Sequence, residues 1–194
     1  QARKQIEAAA AMLLLAKRPV ISVNGNVAAL CPKEVAALAK ALGAKIEANV
    51  FYAPAKKRKR LIAKEFEKIG AQALWKSDAK IKGLSSERAN VSREGIYSAD
   101  AVLVMLEDGD RTMALHKAKK KVVAIDLNPM SRTPKTANIA IIDDVTRALP
   151  LLEKKVVEYR SKKREFLERK VKKFDNPISL RKSEERIRRG NEKT

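Results

Sequence analysis

Three short apolar, mostly β-branched runs, each cut off by a carboxylate or an amide, constrain this chain more than any other feature. The clearest lies in Lys121 to Thr133, KVVAIDLNPMSRT, where Val122, Val123, Ala124 and Ile125 give way to Asp126. Apolar residues without polar alternation suit a parallel strand covered on both faces, and such a strand delivers functional side chains at its carboxyl end. Asp126 and Asn128 place a carboxylate and an amide there, while Pro129 and Pro134 delay entry into the next helix. Arg132 and Thr133 follow with a guanidinium fork and a hydroxyl, both suited to a phosphate. A plain strand-to-helix connection has the same features, so this loop alone does not decide its use.

The second run, Val20 to Val23, opens into Asn24-Gly25-Asn26. Gly25 is free to take positive φ there, flanked by two amides that can donate to an anion or accept from a hydroxyl, and a plain strand-turn-helix connection has the same residues. With one glycine, the turn is neither a G-x-G-x-x-G nor a Walker A loop. The third run, Ala101 to Leu106, opens into Glu107-Asp108-Gly109-Asp110-Arg111. Clustered carboxylates bind hard cations such as magnesium with a nucleotide, and they cap helices equally well. Lys45 to Val50, a short Ala71 to Trp75 and Ile139 to Ile142 add further strands, the last turning through Asp143-Asp144-Val145 into a helix near Thr146. Strands alternating with helical periodicity predict an α/β, Rossmann-like three-layer domain with a mostly parallel sheet, its openings facing one crevice.

A chain of 194 residues at 45% apolar composition buries one ordinary core, and only 4% are aromatic, so aliphatic side chains must fill it. The expected division is a nucleotide-binding domain over residues 1–150 and a basic helical extension over 151–194, interrupted at Asn176 and Pro177. The first helix, Gln1 to Ala16, begins without an N-cap, as though cut from a longer chain. Cys31 is the single cysteine, which excludes an internal disulfide and suits a reducing cytoplasm. The apolar run Ala8 to Ala16 is too short to span a bilayer.

The formal charge is +20, with 27 Lys and Arg against 15 Asp and Glu in residues 1–150 and 16 against 8 in the tail. Such a balance favours anionic partners without choosing among nucleic acid, acidic membrane and phosphorylated small molecules. Lys56 to Arg60, KKRKR, matches a nucleic-acid patch by composition. Ile62, Phe66 and Ile69 follow at helical spacing, so the run is read as the solvated first turn of an amphipathic helix. Lys76 to Asp100, which includes Ser85, has little periodicity and reads as a long functional loop. His116 has no second ligand at metal-binding spacing.

Four strings, VISVNGN ending at Asn26, GIYSAD ending at Asp100, LEDGDR ending at Arg111 and AIDLNPMSRT ending at Thr133, resemble the archaeal phosphopantothenate synthetase family, the 4-phosphopantoate–β-alanine ligases. IDDVTRALP ending at Pro150 and, more faintly, Phe174-Asp175-Asn176 resemble it as well, and the similarity spans most of Ala8 to Pro150. The resemblance implies a homodimeric enzyme of coenzyme A biosynthesis that joins 4-phosphopantoate to β-alanine with ATP through an acyl-adenylate, Mg2+ accompanying the nucleotide. It places ATP on Asp126, Leu127, Asn128, Arg132 and Thr133, with Asp144 and Val145 near the base. It assigns Asn24, Gly25 and Asn26 to the pantoate side, and Asp108, Asp110 and Arg111 to magnesium or to ordering the site. Ala53 stands after Phe51-Tyr52 where the family pattern leads us to expect arginine, Asp144 stands for a more usual asparagine, and an upstream segment with further arginines is expected. Two other readings stay open at this point: a nucleic-acid-binding protein on the same scaffold, and a non-catalytic fragment of the ligase that binds nucleotide.

Overall fold

The computed structural model describes residues 2–52, 54–84 and 86–190; Gln1, Ala53, Ser85 and residues 191–194 lie outside them. In chain order the strands are Pro19–Val23 (β1), Lys45–Ala48 (β2), Ala73–Leu74 (β3), the hairpin pair Ala79–Lys80 (β4) and Asn90–Val91 (β5), Ala101–Met105 (β6), Lys121–Asp126 (β7) and Ile139–Ile142 (β8). Six of them form one sheet in the order β3-β2-β1-β6-β7-β8, every neighbour parallel. The chain runs outward from β1 to β3, returns to β6 beside β1, then runs outward again. Its reversal between β1 and β6 is where open α/β sheets form their ligand crevice.

Burial explains why the apolar runs become strands. In β6, Leu103 and Met105 enter one core while Val102 and Val104 enter the other, and β7 divides Val123 and Ile125 from Val122 and Ala124 in the same way. With side chains alternating across the sheet, two covered faces require an unbroken apolar run. The larger core is closed by helices Arg3–Leu15 (α1), Pro32–Leu42 (α3), Ala55–Glu67 (α4), Val145–Tyr159 (α7) and Arg164–Lys172 (α8), with the short Gly25–Leu30 (α2) between β1 and α3. The smaller core lies under Gly109–Lys117 (α5) and the β4–β5 hairpin. The architecture is the Rossmann-like α/β fold expected, completed by Arg132–Thr136 (α6) and Asn176–Arg189 (α9).

The basic tail is anchored to the sheet layer. α7 continues through Pro150, so residue 150, expected as a boundary, falls inside a helix whose Leu149, Leu152 and Val156 are buried. Asn176, expected merely to interrupt the tail, is buried: it accepts from the Ala140 amide at 2.8 Å and donates to the Pro134 and Ala137 carbonyls at 2.8 and 3.1 Å. From α1, Gln5 donates to Ser179 of α9 at 2.9 Å and accepts from the Ile142 amide at 2.8 Å.

The KKRKR run departs from a wholly solvated turn. Lys59 is 1% exposed, its ammonium donating to Ser77 Oγ at 2.8 Å and to the Asn90 carbonyl at 2.7 Å. Burial pushes its pKa down from 10.5 to about 8. The reason is helical phase: Ala55, Lys59, Ile62, Ala63 and Phe66 are the buried residues of α4, so the fourth residue of the run falls on the inward stripe. Among the described residues, no helix is long and apolar enough to cross a membrane.

Candidate functional site

Because the sheet is parallel, five strand exits share one rim. In spatial order they are Asn49 to Tyr52 after β2, Asn24 to Asn26 after β1, Leu106 to Arg111 after β6, Asp126 to Thr133 after β7 and Asp143 to Val145 after β8. The first three surround a cleft of about 640 Å³ lined by Asn24, Gly25, Asn26, Asn49, Arg58, Arg88, Asp108 and Arg111, with Phe51, Tyr52 and Leu61 among its apolar walls. The cleft therefore sits at the switch point, as the topology requires.

Asn24 locks the two central exits together. Its Oδ1 caps α2 by accepting from the Val27 amide at 3.1 Å, and its Nδ2 donates to the Met105 and Leu106 carbonyls at 3.2 and 2.9 Å. Gly25, free to take positive φ, does not use that freedom and opens α2 directly behind this cap. A Cβ built on it meets nothing within 4 Å, so its missing side chain leaves space in the cleft. The positive φ belongs to Leu106, at 49°, a left-handed conformation that is costly for a bulky residue. That turn directs its carbonyl to Asn24 and starts the acidic segment on its path.

Three arginines supply the cleft's charge. Arg111 is 2% exposed; Nη2 donates to Asn49 Oδ1, and Nε stands 3.7 Å from Glu107 without a hydrogen-bond partner. Arg88 lies over the Phe51 ring at 4.3 Å, and its Nη1 reaches Asp108 and Asp110 at 3.2 Å each, while Nε is likewise unpaired. Arg58 has no carboxylate partner among the described residues. Burial pushes the Glu107 carboxyl up, against the pull of Arg111. Arg88 and Arg132 hold the exposed Asp110 carboxyl below the usual carboxylate range.

The next exits are open surface. Asp126 accepts from the Asn128 amide at 2.9 Å and from Ser131 Oγ at 2.8 Å, and Asn128 accepts from the Met130 amide at 3.0 Å, so the loop is shaped by its own polar groups. Leu127 and Met130 are exposed beside them. Thr133 is buried, donating to the Glu107 carbonyl at 2.8 Å, and the mostly exposed Arg132 reaches Asp110 at 2.7 Å. Asp144 caps α7 on the Thr146 amide at 2.8 Å, and Val145, the first residue of that helix, is buried.

The structure thus groups Asn24, Gly25, Asn26, Asp108 and Arg111 around the cleft and sets Asp126, Leu127, Asn128, Arg132, Thr133, Asp144 and Val145 on the neighbouring rim. Asp110 stands between the two. Sequence reasoning missed Asn49, Arg58 and Arg88. The exit rule, applied to the strand at Lys45, would have found Asn49, whereas Arg88 arrives by tertiary folding from a segment without a motif. Cys31 is buried, and burial pushes its thiol up to about 11, which suits packing and not nucleophilic chemistry.

The profile of the phosphopantothenate/pantothenate synthetase family matches residues 1–190. The chain belongs to that family. A 4-phosphopantoate–beta-alanine ligase of Thermococcus kodakarensis is 48% identical over 182 residues, 92% of this chain and 69% of its own length. Ligases of the same name from Thermococcus onnurineus and Methanosarcina mazei are 45% and 48% identical over 182 and 174 residues, covering 69% and 68% of their lengths. Membership extends the likeness beyond the strings around the rim to the tail helices α8 and α9.

Proposed function

We propose that this protein is an ATP-dependent carbon–nitrogen ligase that joins 4-phosphopantoate to β-alanine in coenzyme A biosynthesis in the cytoplasm. The cleft takes the phosphorylated acid and the rim from Asp126 to Val145 takes ATP. The observation that carries this reading is the charge of the cleft. Two arginines there are nearly or wholly buried with an Nε unpaired, beside a third without a carboxylate partner. A phosphorylated acid would meet these guanidinium charges at the wall of the cleft.

The chemistry needs placement and charge neutralisation more than a nucleophilic side chain. A carboxylate oxygen of the acid attacks the α-phosphorus of ATP, and pyrophosphate departs with the bridging oxygen. The β-alanine amine, having released its proton, attacks the acyl carbon, and AMP departs with the anhydride oxygen. Asp126 can accept from ribose hydroxyls, Leu127 and Met130 offer an apolar platform, and Arg132 meets phosphate oxygens. Asp144, an acceptor only, would take the adenine amino protons. Magnesium enters as the counter-ion of the nucleotide phosphates; among the described residues, no three His, Cys, Asp or Glu side chains group to hold an ion. A homodimer belongs to the same reading, and light scattering decides it.

The test is AMP release that requires both 4-phosphopantoate and β-alanine. Arg58→Ala should raise KM for 4-phosphopantoate about 10- to 100-fold, the scale of a lost charge-assisted bond, with KM for ATP unchanged. Arg132→Ala should do the reverse. AMP release without the amine, or the same kinetic pattern from both variants, overturns the assignment.

A further inference from the structure

Asp110 divides its carboxylate between the two halves of the rim. Oδ2 accepts from Arg88, a wall of the cleft, at 3.2 Å, and Oδ1 accepts from Arg132 of the next exit at 2.7 Å. The junction around it is built and not incidental. Thr133 Oγ1 donates to the Glu107 carbonyl at 2.8 Å, tying the β7 exit to the β6 exit. A Cβ on Gly109 would lie 2.5 Å from Arg132 Cβ, so this glycine permits the close approach that brings Arg132 to Asp110. On the other side, Arg88 is fixed by the Phe51 ring and by Asp108, and only 13% of its side chain is exposed.

We propose that Asp110 is a positioning residue that competes with nucleotide phosphates for Arg132 and is itself held off by Arg88, so that the cleft and the nucleotide rim communicate through one carboxylate. The proposal rests on ATP occupying the rim as set out above. Its sign follows from charge. Remove Arg88, and Asp110 turns both oxygens to Arg132, leaving that guanidinium less available to phosphate. Remove the charge of Asp110, and Arg132 is released toward phosphate, while Arg88 loses one of its two carboxylates. A carboxylate that bound magnesium for the nucleotide would behave in the opposite way, because its loss would weaken ATP.

The experiment is calorimetric titration of ATP with magnesium into the wild type, Arg88→Ala, Asp110→Asn and the double variant, with AMP release measured alongside. Asp110→Asn should bind ATP roughly two- to fivefold tighter, the scale of an exposed ion pair, while its kcat falls. Arg88→Ala should bind ATP more weakly by a similar factor, and that effect should vanish when Asn occupies position 110. A merely structural role moves melting temperature without tightening ATP. Weaker ATP binding by Asp110→Asn, unchanged binding in Arg88→Ala, or an Arg88→Ala effect that persists in the double variant each overturns the proposal. Absence of AMP release with the calorimetric pattern intact would instead overturn the ligase assignment and leave the bridge standing.

Discussion

The two halves of the rim are made differently. In the cleft half, at the exits of β1, β2 and β6, the key cation is Arg111, 2% exposed and gripped by Asn49 and Glu107; in the other half it is Arg132, its side chain 65% exposed and held by one ion pair. Asn24 donates its amide N–H to the backbone of a neighbouring exit, whereas the Asp126 carboxylate and the Asn128 amide oxygen accept from backbone amides of their own loop. The cleft is therefore part of the protein's packing, and the loop is a surface carried on it. A preformed cage suits a small charged acid whose fit must be set in advance, and an open ledge suits a larger ligand that brings its own counter-ion.

The sharpest way to break this contrast is to remove one cation from each half. Arg111→Met leaves Glu107 and Asn49 buried without their partner, and such a loss costs about 3–5 kcal/mol of stability, read by denaturant unfolding, with ligase activity abolished. Arg132→Ala should change stability by less than about 0.5–1 kcal/mol while impairing turnover. Equal destabilisation by the two would mean that the loop is as much part of the core as the cleft.

The wall of the cleft gives a pH test. α4 carries Arg58, Leu61 and Ile62 to the cleft and is pinned behind it by Lys59. The folded state releases the Lys59 proton near pH 8, and the unfolded chain keeps it to about 10.5. Between those values the unfolded state holds more protons, so raising pH favours the fold. The stability of the wild type relative to Lys59→Met should rise across that window by at most about 3 kcal/mol, measured by unfolding at stepped pH. A flat difference would mean that α4 rests on its apolar stripe alone.

The contrast also explains what could be read from sequence. The β7 exit was legible because its strand, loop and polar tips are contiguous, and because burial on both faces forces an unbroken apolar run. The cleft was half legible. Asn24, Asp108 and Arg111 follow strands directly, but Arg88 is carried in on an excursion whose path depends on Glu47, a buried carboxylate accepting from the Ser92 and Ile96 amides at 2.9 and 2.6 Å. No local pattern encodes that. Lys59 was misread for a different reason: composition treats five adjacent charges alike, while a helix turns one of them inward. The same phase argument that picked out Ile62 and Phe66 contained the answer. At Gly25 a glycine after an amide signals a tight turn as readily as a capped helix, and the carbonyls that hold the cap, those of Met105 and Leu106, lie 81 and 82 residues from Asn24.

The smallest effect separates the halves most cleanly. Gly25 lines the cleft, and a methyl group there touches no protein atom within 4 Å. Gly25→Ala should therefore leave stability unchanged or raise it by about 0.5–1 kcal/mol, since alanine loses less backbone freedom in a helix than glycine. The methyl would occupy space that the acid needs, so KM for 4-phosphopantoate should rise a few-fold with KM for ATP unmoved. If the ATP constant moves with it, the nucleotide reaches across β6 into the cleft, and the rim is one site in place of two adjoining ones. A thermal melt run beside the kinetics keeps a folding defect from imitating either result, because this substitution has no protein neighbour to displace.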